Sequence, residues 1–174
     1  VNMRGTLYMT QAVVPAMRQA RRGSIVNMSS VSAQRGGGVF GGPHYSAAKA
    51  GVLGLAKAMA RELGPDGIRV NCLTPGLTQT DITGGKLTDE MRVKILEGIP
   101  MNRLGDAEDV ARACLFLASD LASYTTGAVI DVNGRFLYGA PAAALGGEGT
   151  MTITRDSTPF ANVPALKDYR FGKV

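Results

Sequence analysis

GPHYSAAKAGVLG, residues Gly42 to Gly54, is the stretch from which the fold of this chain is read. A glycine–proline step opens it, and Ala48, Val52, Leu55, Ala56, Met59 and Leu63 then recur on one face of a 3.6-residue repeat. Proline suits the first turn of a helix, and Gly64 with Pro65 suits its end. The pattern therefore predicts a helix from Pro43 that stops at Gly64, with Tyr45 and Lys49 near its head. Residues four apart on a helix have Cβ atoms about 5–6 Å apart, so the Lys49 ammonium can approach the Tyr45 phenol. A free phenol titrates near 10, and bringing it to about 7 takes roughly 4 kcal/mol, which a close cation in a partly desolvated cleft can largely supply. An ordinary half-exposed helix also carries such pairs, so the neighbouring segments must decide.

Upstream, SIVNMSS after Gly23 is a short apolar, β-branched run ending in Ser29 and Ser30, as expected of a buried strand. Open α/β sheets keep their chemistry at such strand ends. A glycine-rich loop, Val31 to Gly42, leads from it to Pro43. Before it, Met3, Leu7, Val14 and Met17 keep a helical face from the first residues, so the chain begins inside a helix. Downstream, IRVNCLTPG predicts a second strand that breaks at Pro75 and Gly76, and a polar loop runs on to about Gly85. TDEMRVKILEG predicts a short helix with acidic residues in its first turn. Asp106 is placed to cap AEDVARACLFLAS, whose buried stripe is Val110, Ala113, Cys114 and Leu117, and AVIDV after Gly127 predicts a third strand. This alternation implies an α/β fold of parallel strands with helical crossovers. Residues 1–134 form that domain. From Arg135 to Val174 the composition changes to a C-terminal tail whose order the sequence leaves open, with MTITR alternating weakly like an edge strand.

The chain has 174 residues, 45% of them hydrophobic, enough for one domain with a proper core. Its net charge of +5 is scattered, so no footprint for nucleic acid stands out. Cys72 and Cys114 sit in apolar runs without CxxC or histidine neighbours, which predicts buried free thiols, a reducing compartment and no metal. No apolar run approaches the roughly 20 residues of a membrane span, and no basic region precedes a hydrophobic core. The expectation is a soluble cytoplasmic protein.

NMSS, then YSAAKAG, then RVNCLTPG, in this order and spacing over Val1 to Gly134, resemble the short-chain dehydrogenase/reductases, specifically their 3-oxoacyl-carrier-protein-reductase-like and sugar or steroid dehydrogenase-like members. The resemblance implies a partial Rossmann-type doubly wound parallel sheet, its N-terminal strands absent, and an oxidoreductase that interconverts a carbonyl and a secondary alcohol with NAD or NADP. It makes Tyr45 the general acid/base, and Lys49 both the cation beside it and a ligand of the nicotinamide ribose. Ser30 would hydrogen-bond the substrate oxygen, and Asn2 would hold a water in a relay towards the lysine. The interval from Ser30 to Tyr45 is slightly longer than usual in the family, which leaves Ser29 and Ser32 as alternatives. Pro75, Gly76, Thr78 and Thr80 match the stretch that meets the nicotinamide carboxamide. Val31 to Gly42 and Gly84 to Ile99 are the loops that would shape the substrate pocket, for a small-molecule alcohol or ketone. The helices starting at Val1 and Pro43 are those the family packs between subunits, implying a homo-oligomer, dimer or tetramer. Arg135 stands where the family often has a second glycine.

His44, the sole histidine, reads as a first-turn residue beside the cleft, since no GxSxG elbow surrounds either serine to suggest a hydrolase. A dinucleotide fold also needs a glycine-rich first turn for the pyrophosphate. RGGGVFGG follows the wrong strand and reads as a substrate loop, so the family's TGxxxGxG and NNAG segments would lie upstream of Val1. The chain therefore reads as the C-terminal half of a dehydrogenase, expected to bind NAD(P)H negligibly if it stands alone. The other reading is a truncated, inactive remnant that acts only by subunit association.

Overall fold

The structure, a computed structural model, describes residues 2–37, 41–81, 85 and 87–134. The tail from Arg135, with its MTITR segment, and parts of both expected pocket loops lie outside the described residues. In chain order the elements are α1 (Asn2–Ala20), β1 (Gly23–Met28), a single turn α2 (Ser32–Arg35), α3 (Pro43–Leu63), β2 (Ile68–Pro75), α4 (Asp89–Glu97), α5 (Ala107–Ala118) and β3 (Val129–Val132). The three strands form a parallel sheet in the order β1-β2-β3. Gly23 lies opposite Ile68 and Met28 opposite Leu73; Cys72 lies opposite Val129 and Pro75 opposite Val132.

A central parallel strand is covered on both faces, which is why β2 reads as a nearly unbroken apolar run. Ile68, Val70, Cys72 and Leu73 are buried outright, and their side chains divide by the two-residue period of a strand. Val70 and Cys72 pack with Val52, Ala56, Met59, Ala60 and Leu63 of α3 and Val14 of α1. Leu73 faces the other way, onto Leu117 of α5 and Ala122. Asn71 is also buried; it donates to Thr125 O (2.8 Å) and accepts from Ala128 N (3.0 Å), which fixes the turn into β3.

Local chemistry sets the boundaries. Gly42 is extended and Pro43 occupies the first turn of α3, where a missing N–H costs nothing. The exit of α3 runs through a 3-10 turn to Gly67 at φ +73°, where a Cβ would lie 2.4 Å from Arg21 O. Only glycine combines that backbone with that approach. Asp66 in the same turn accepts from Arg18 Nε (2.8 Å) and Arg21 Nη1 (3.0 Å), tying the α1–β1 and α3–β2 connections together. α5 starts at a reciprocal cap in which Asp109 N donates to the Asp106 carboxylate (2.8 Å) and Asp106 N to that of Asp109 (3.0 Å).

Three expectations change. The loop after Val31 contains the helical turn α2, which no apolar periodicity announces. Of the α1 face Met3, Leu7, Val14 and Met17, Val14 alone is buried, because α1 is the outermost layer over α3 and β1. In the α5 stripe Leu117 alone is fully buried, and Cys114 is half-buried where a buried thiol was expected.

Candidate active site

Parallel strands deliver their C-terminal ends to one edge of the sheet, and the candidate residues gather there. Beyond β1 the chain keeps bonding to β2, with Ser29 N donating to Leu73 O (2.8 Å) and Val31 N to Pro75 O (2.9 Å). Ser29 Oγ donates to Lys49 O at 2.8 Å, which spends its only proton on the α3 backbone. Ser30 is buried, and its Oγ accepts from Ser32 N (3.2 Å), which leaves its own hydroxyl proton to give.

Tyr45 and Lys49 stand half-buried on the first turns of α3. Lys49 Nζ donates to Met28 O at 2.8 Å, at the tip of β1, and lies 5.8 Å from the Tyr45 ring centroid. That is within cation–π reach. Burial pushes the Lys49 ammonium below its ordinary value, with nearby Cys72 pulling the other way. Burial likewise raises the Cys72 thiol to about 11, eased by Lys57 and Lys49. A thiol held so high is an inert core group, not a nucleophile. A Cβ on Gly41 would stand 2.9 Å from Tyr45 Cδ1 and 3.3 Å from Ser32 Oγ, so glycine there lets α2 close onto the tyrosine. His44 is exposed on the same turn.

Asn2 is the exposed first residue of α1, and its carbonyl accepts from Thr6 Oγ1 (3.0 Å). The next residue, Met3, places Sδ 2.6 Å from where Gly51 would carry a Cβ, so the head of α1 rests on α3 two residues past Lys49. Pro75, Gly76 and Thr78 form a shelf at the tip of β2. Gly76 N donates to Val132 O (2.9 Å), and a Cβ on Gly76 would sit 2.8 Å from Asn133 Cα. Thr78 makes an isolated parallel bridge with Gly105, and its Oγ1 donates to Gly76 O (3.4 Å). Thr80 is exposed further along this loop. The fold thus brings Ser29, Ser30, Ser32, Tyr45 and Lys49 into one cluster and joins the Pro75 shelf to it through the Val31–Pro75 bond. Gln34 and Asp131, which the sequence did not single out, belong to the same rim; they are 97 residues apart and meet at 2.9 Å. Among the described residues no group of three or more His, Cys, Asp or Glu is placed to hold a metal, and no helix is long and apolar enough to cross a membrane.

A family model described as enoyl-(acyl carrier protein) reductase matches residues 1–135. A model of the bacterial alpha-2-macroglobulin MG5 domain matches residues 115–174, less than half of the chain. Over 137 residues the chain is 73% identical to an uncharacterized short-chain type dehydrogenase/reductase of Sinorhizobium fredii, covering 79% of this chain and 54% of that protein. It is 46% identical over 131 residues to the 3-oxoacyl-acyl-carrier-protein reductase of Chlamydia muridarum, covering 75% of this chain and 52% of that one. Among solved structures, a Brucella melitensis 3-oxoacyl-acyl-carrier-protein reductase with bound NAD superposes with a TM-score of 0.72 at 37% identity, over 80% of this chain and 50% of its own. An Agrobacterium tumefaciens chain with bound NADP gives 0.73 at 37% identity, over 79% and 56%. The chain spans about half the length of the curated relatives it matches.

Proposed function

The chain belongs to the short-chain dehydrogenase/reductase family, and from that membership we propose that it carries the proton-transfer half of an NAD(P)-dependent oxidoreductase acting between a carbonyl and a secondary alcohol. The observation that supports this most is the anchored pair: Tyr45 and Lys49 on one helix turn, with Lys49 Nζ tied to the strand tip that leads into Ser30.

The residues suit a nicotinamide cofactor. Lys49 presents a half-buried ammonium with one of its three protons engaged, and Gly76 lets Asn133 pack closely against the tip of β2, which sets the position of the shelf that Thr78 follows. Lys49 would take the ribose hydroxyls; Pro75, Gly76, Thr78 and Thr80 would meet the carboxamide end. The cofactor, NAD or NADP, supplies or accepts the hydride at the reacting carbon. In reduction the Tyr45 O–H gives its proton to the carbonyl oxygen as negative charge develops there, and in oxidation it takes that proton back. Ser30 donates a second hydrogen bond to the same oxygen with the proton its own environment leaves free. Ser29 is unsuited to that role because its proton is engaged on Lys49 O. Asn2 would steady a water on the path from Lys49. In a complete protein that binds the reduced cofactor, Tyr45→Phe is expected to lower turnover of a small ketone by about 10²–10⁴ while sparing that binding, read by cofactor fluorescence. Retained turnover would remove Tyr45 from the reaction.

A second reading is favoured by α1, whose Met3, Tyr8, Met9 and Val13 are all exposed. Met9 and Val13 lie one turn apart on the same face, and exposed apolar surface of this kind suits a helix-to-helix contact with another copy of the chain. Association is compatible with activity, and it is the whole function if the chain binds no cofactor. Sedimentation that finds a monomer at micromolar concentration would exclude both the contact and this reading.

A further inference from the structure

We propose that Asp131, on the strand of the sheet farthest from Ser30, is a positioning residue that holds the serine segment against Tyr45. Asp131 and Thr74 are register partners on β3 and β2. Thr74 is fully buried and directs its hydroxyl onto Asp131 Oδ1. Gln34 Nε2, on α2, donates to the same oxygen at 2.9 Å. One carboxylate oxygen therefore joins the core of β2, the edge strand β3 and the helical turn that follows Ser30.

The position of α2 decides the site geometry. Its first residue, Ser32, gives its N–H to Ser30 Oγ and lies across Gly41 from the Tyr45 ring. α2 is one turn long, too short to hold itself in place by its own hydrogen bonds. Val31 N–Pro75 O fastens its leading end to the sheet, and Gln34–Asp131 fastens the trailing end. With both fastened, Ser30 and Ser32 keep one orientation towards the phenol. With the Gln34–Asp131 bond lost, α2 keeps the Val31–Pro75 bond and its packing on α3 but loses its tie to β3, and Ser32 shifts relative to the phenol. Misplacements of this kind cost a reaction up to about 100-fold without removing any reacting group.

The kinetic consequence rests on the oxidoreductase reading; the structural coupling does not, and the test separates them. Asp131→Ala, Asp131→Asn, Gln34→Ala and the double variant Gln34→Ala/Asp131→Ala are compared by amide exchange and by the NMR resonances of the Tyr45 ring, assigned with Tyr45→Phe. Each alanine variant is expected to speed exchange at Ser32–Arg35 by about tenfold and to shift the Tyr45 ring resonances. The double variant should add nothing to Asp131→Ala, which already cuts the Gln34 link together with the Thr74 one. Asp131→Asn retains an acceptor for both donors and should behave as the parent chain. The exposed Gln34 reports the coupling even if Asp131→Ala folds poorly. Unchanged exchange and ring shifts in Gln34→Ala, or an Asp131→Asn that matches the alanine variant, would overturn the proposal. In a complete protein that turns over, the alanine variants should lower kcat by about tenfold with KM for the cofactor unchanged; shifts without that drop would count against the oxidoreductase reading and leave the coupling standing.

Discussion

α3 and α5 flank the same sheet on opposite faces and are held by different means. α3 buries Val52, Ala56, Met59, Ala60 and Leu63 against β2, and the head of α1 closes over it. α5 buries Leu117 alone, leaves Leu115 70% and Phe116 39% exposed, and is fastened at its start by charged and capping groups. Candidate catalytic side chains sit on the helix with the distributed apolar anchor. A hydroxyl and an ammonium that must keep a geometry to fractions of an ångström need a support that no single contact controls. α5 carries no candidate reacting group and can depend on one side chain and a polar clamp.

The sharpest way to break this contrast is to cut one apolar anchor on each face. Leu117→Ala should destabilise by about 2–5 kcal/mol, because it opens a void where α5 meets Leu73 and Ala122. Met59→Ala should cost about 2 kcal/mol, because the four other buried residues of α3 still hold it. Denaturant unfolding gives the totals, and native-state exchange locates them. Ala113 to Ala118 should lose protection ahead of the rest in Leu117→Ala, whereas the α3 amides should stay protected in Met59→Ala. Equal local loss in the two variants would show that α3 has no more redundancy than α5.

The same contrast explains what the sequence made legible. α3 was readable because its anchor is periodic: four of its buried residues, Val52, Ala56, Met59 and Leu63, fall on a face that spacing alone reveals, and Pro43 marks its start. The parallel three-stranded sheet followed from strand-like runs separated by helical ones, and the cap of α5 from Asp106. α2 was not readable, because SAQR has no apolar period and its place is set by contacts with Pro75 and Asp131, 44 and 97 residues from the groups they bind. Among the three serines the resemblance favours Ser30, which Val31 follows as in the family pattern, and the spacing leaves Ser29 and Ser32 as alternatives. Strand alternation sends the Ser29 hydroxyl to Lys49 O, and only the bend into α2 makes Ser30 an acceptor for Ser32 N. Tyr45 and Lys49 were legible as a pair, but the tether of Lys49 Nζ to Met28 O was not, since it depends on how far β1 extends under the helix.

The smallest expected effect is a pH dependence confined to α5. Arg103 lies on Asp109 at 2.6 and 2.8 Å, and with Asp106 N it holds the Asp109 carboxyl well below the usual carboxylate range. An unfolded aspartate titrates near 3.9, so between that value and the lower folded one the unfolded chain binds the extra proton. Stability from this group is therefore complete above about pH 5 and is lost as the pH falls below about 4. Asp109→Asn removes the titration, so its melting temperature should lie below that of the parent near pH 6, and the gap should begin to narrow as the pH falls below about 4. Added salt should narrow the gap at pH 6 through screening. Amide exchange should place the acid loss in the first turn of α5, while the start of α3, built on Gly42 and Pro43 without a carboxylate, keeps its protection. Simultaneous loss at both helix starts would mean that acid acts on the shared core, and the two helices would then differ in composition but not in how they are held.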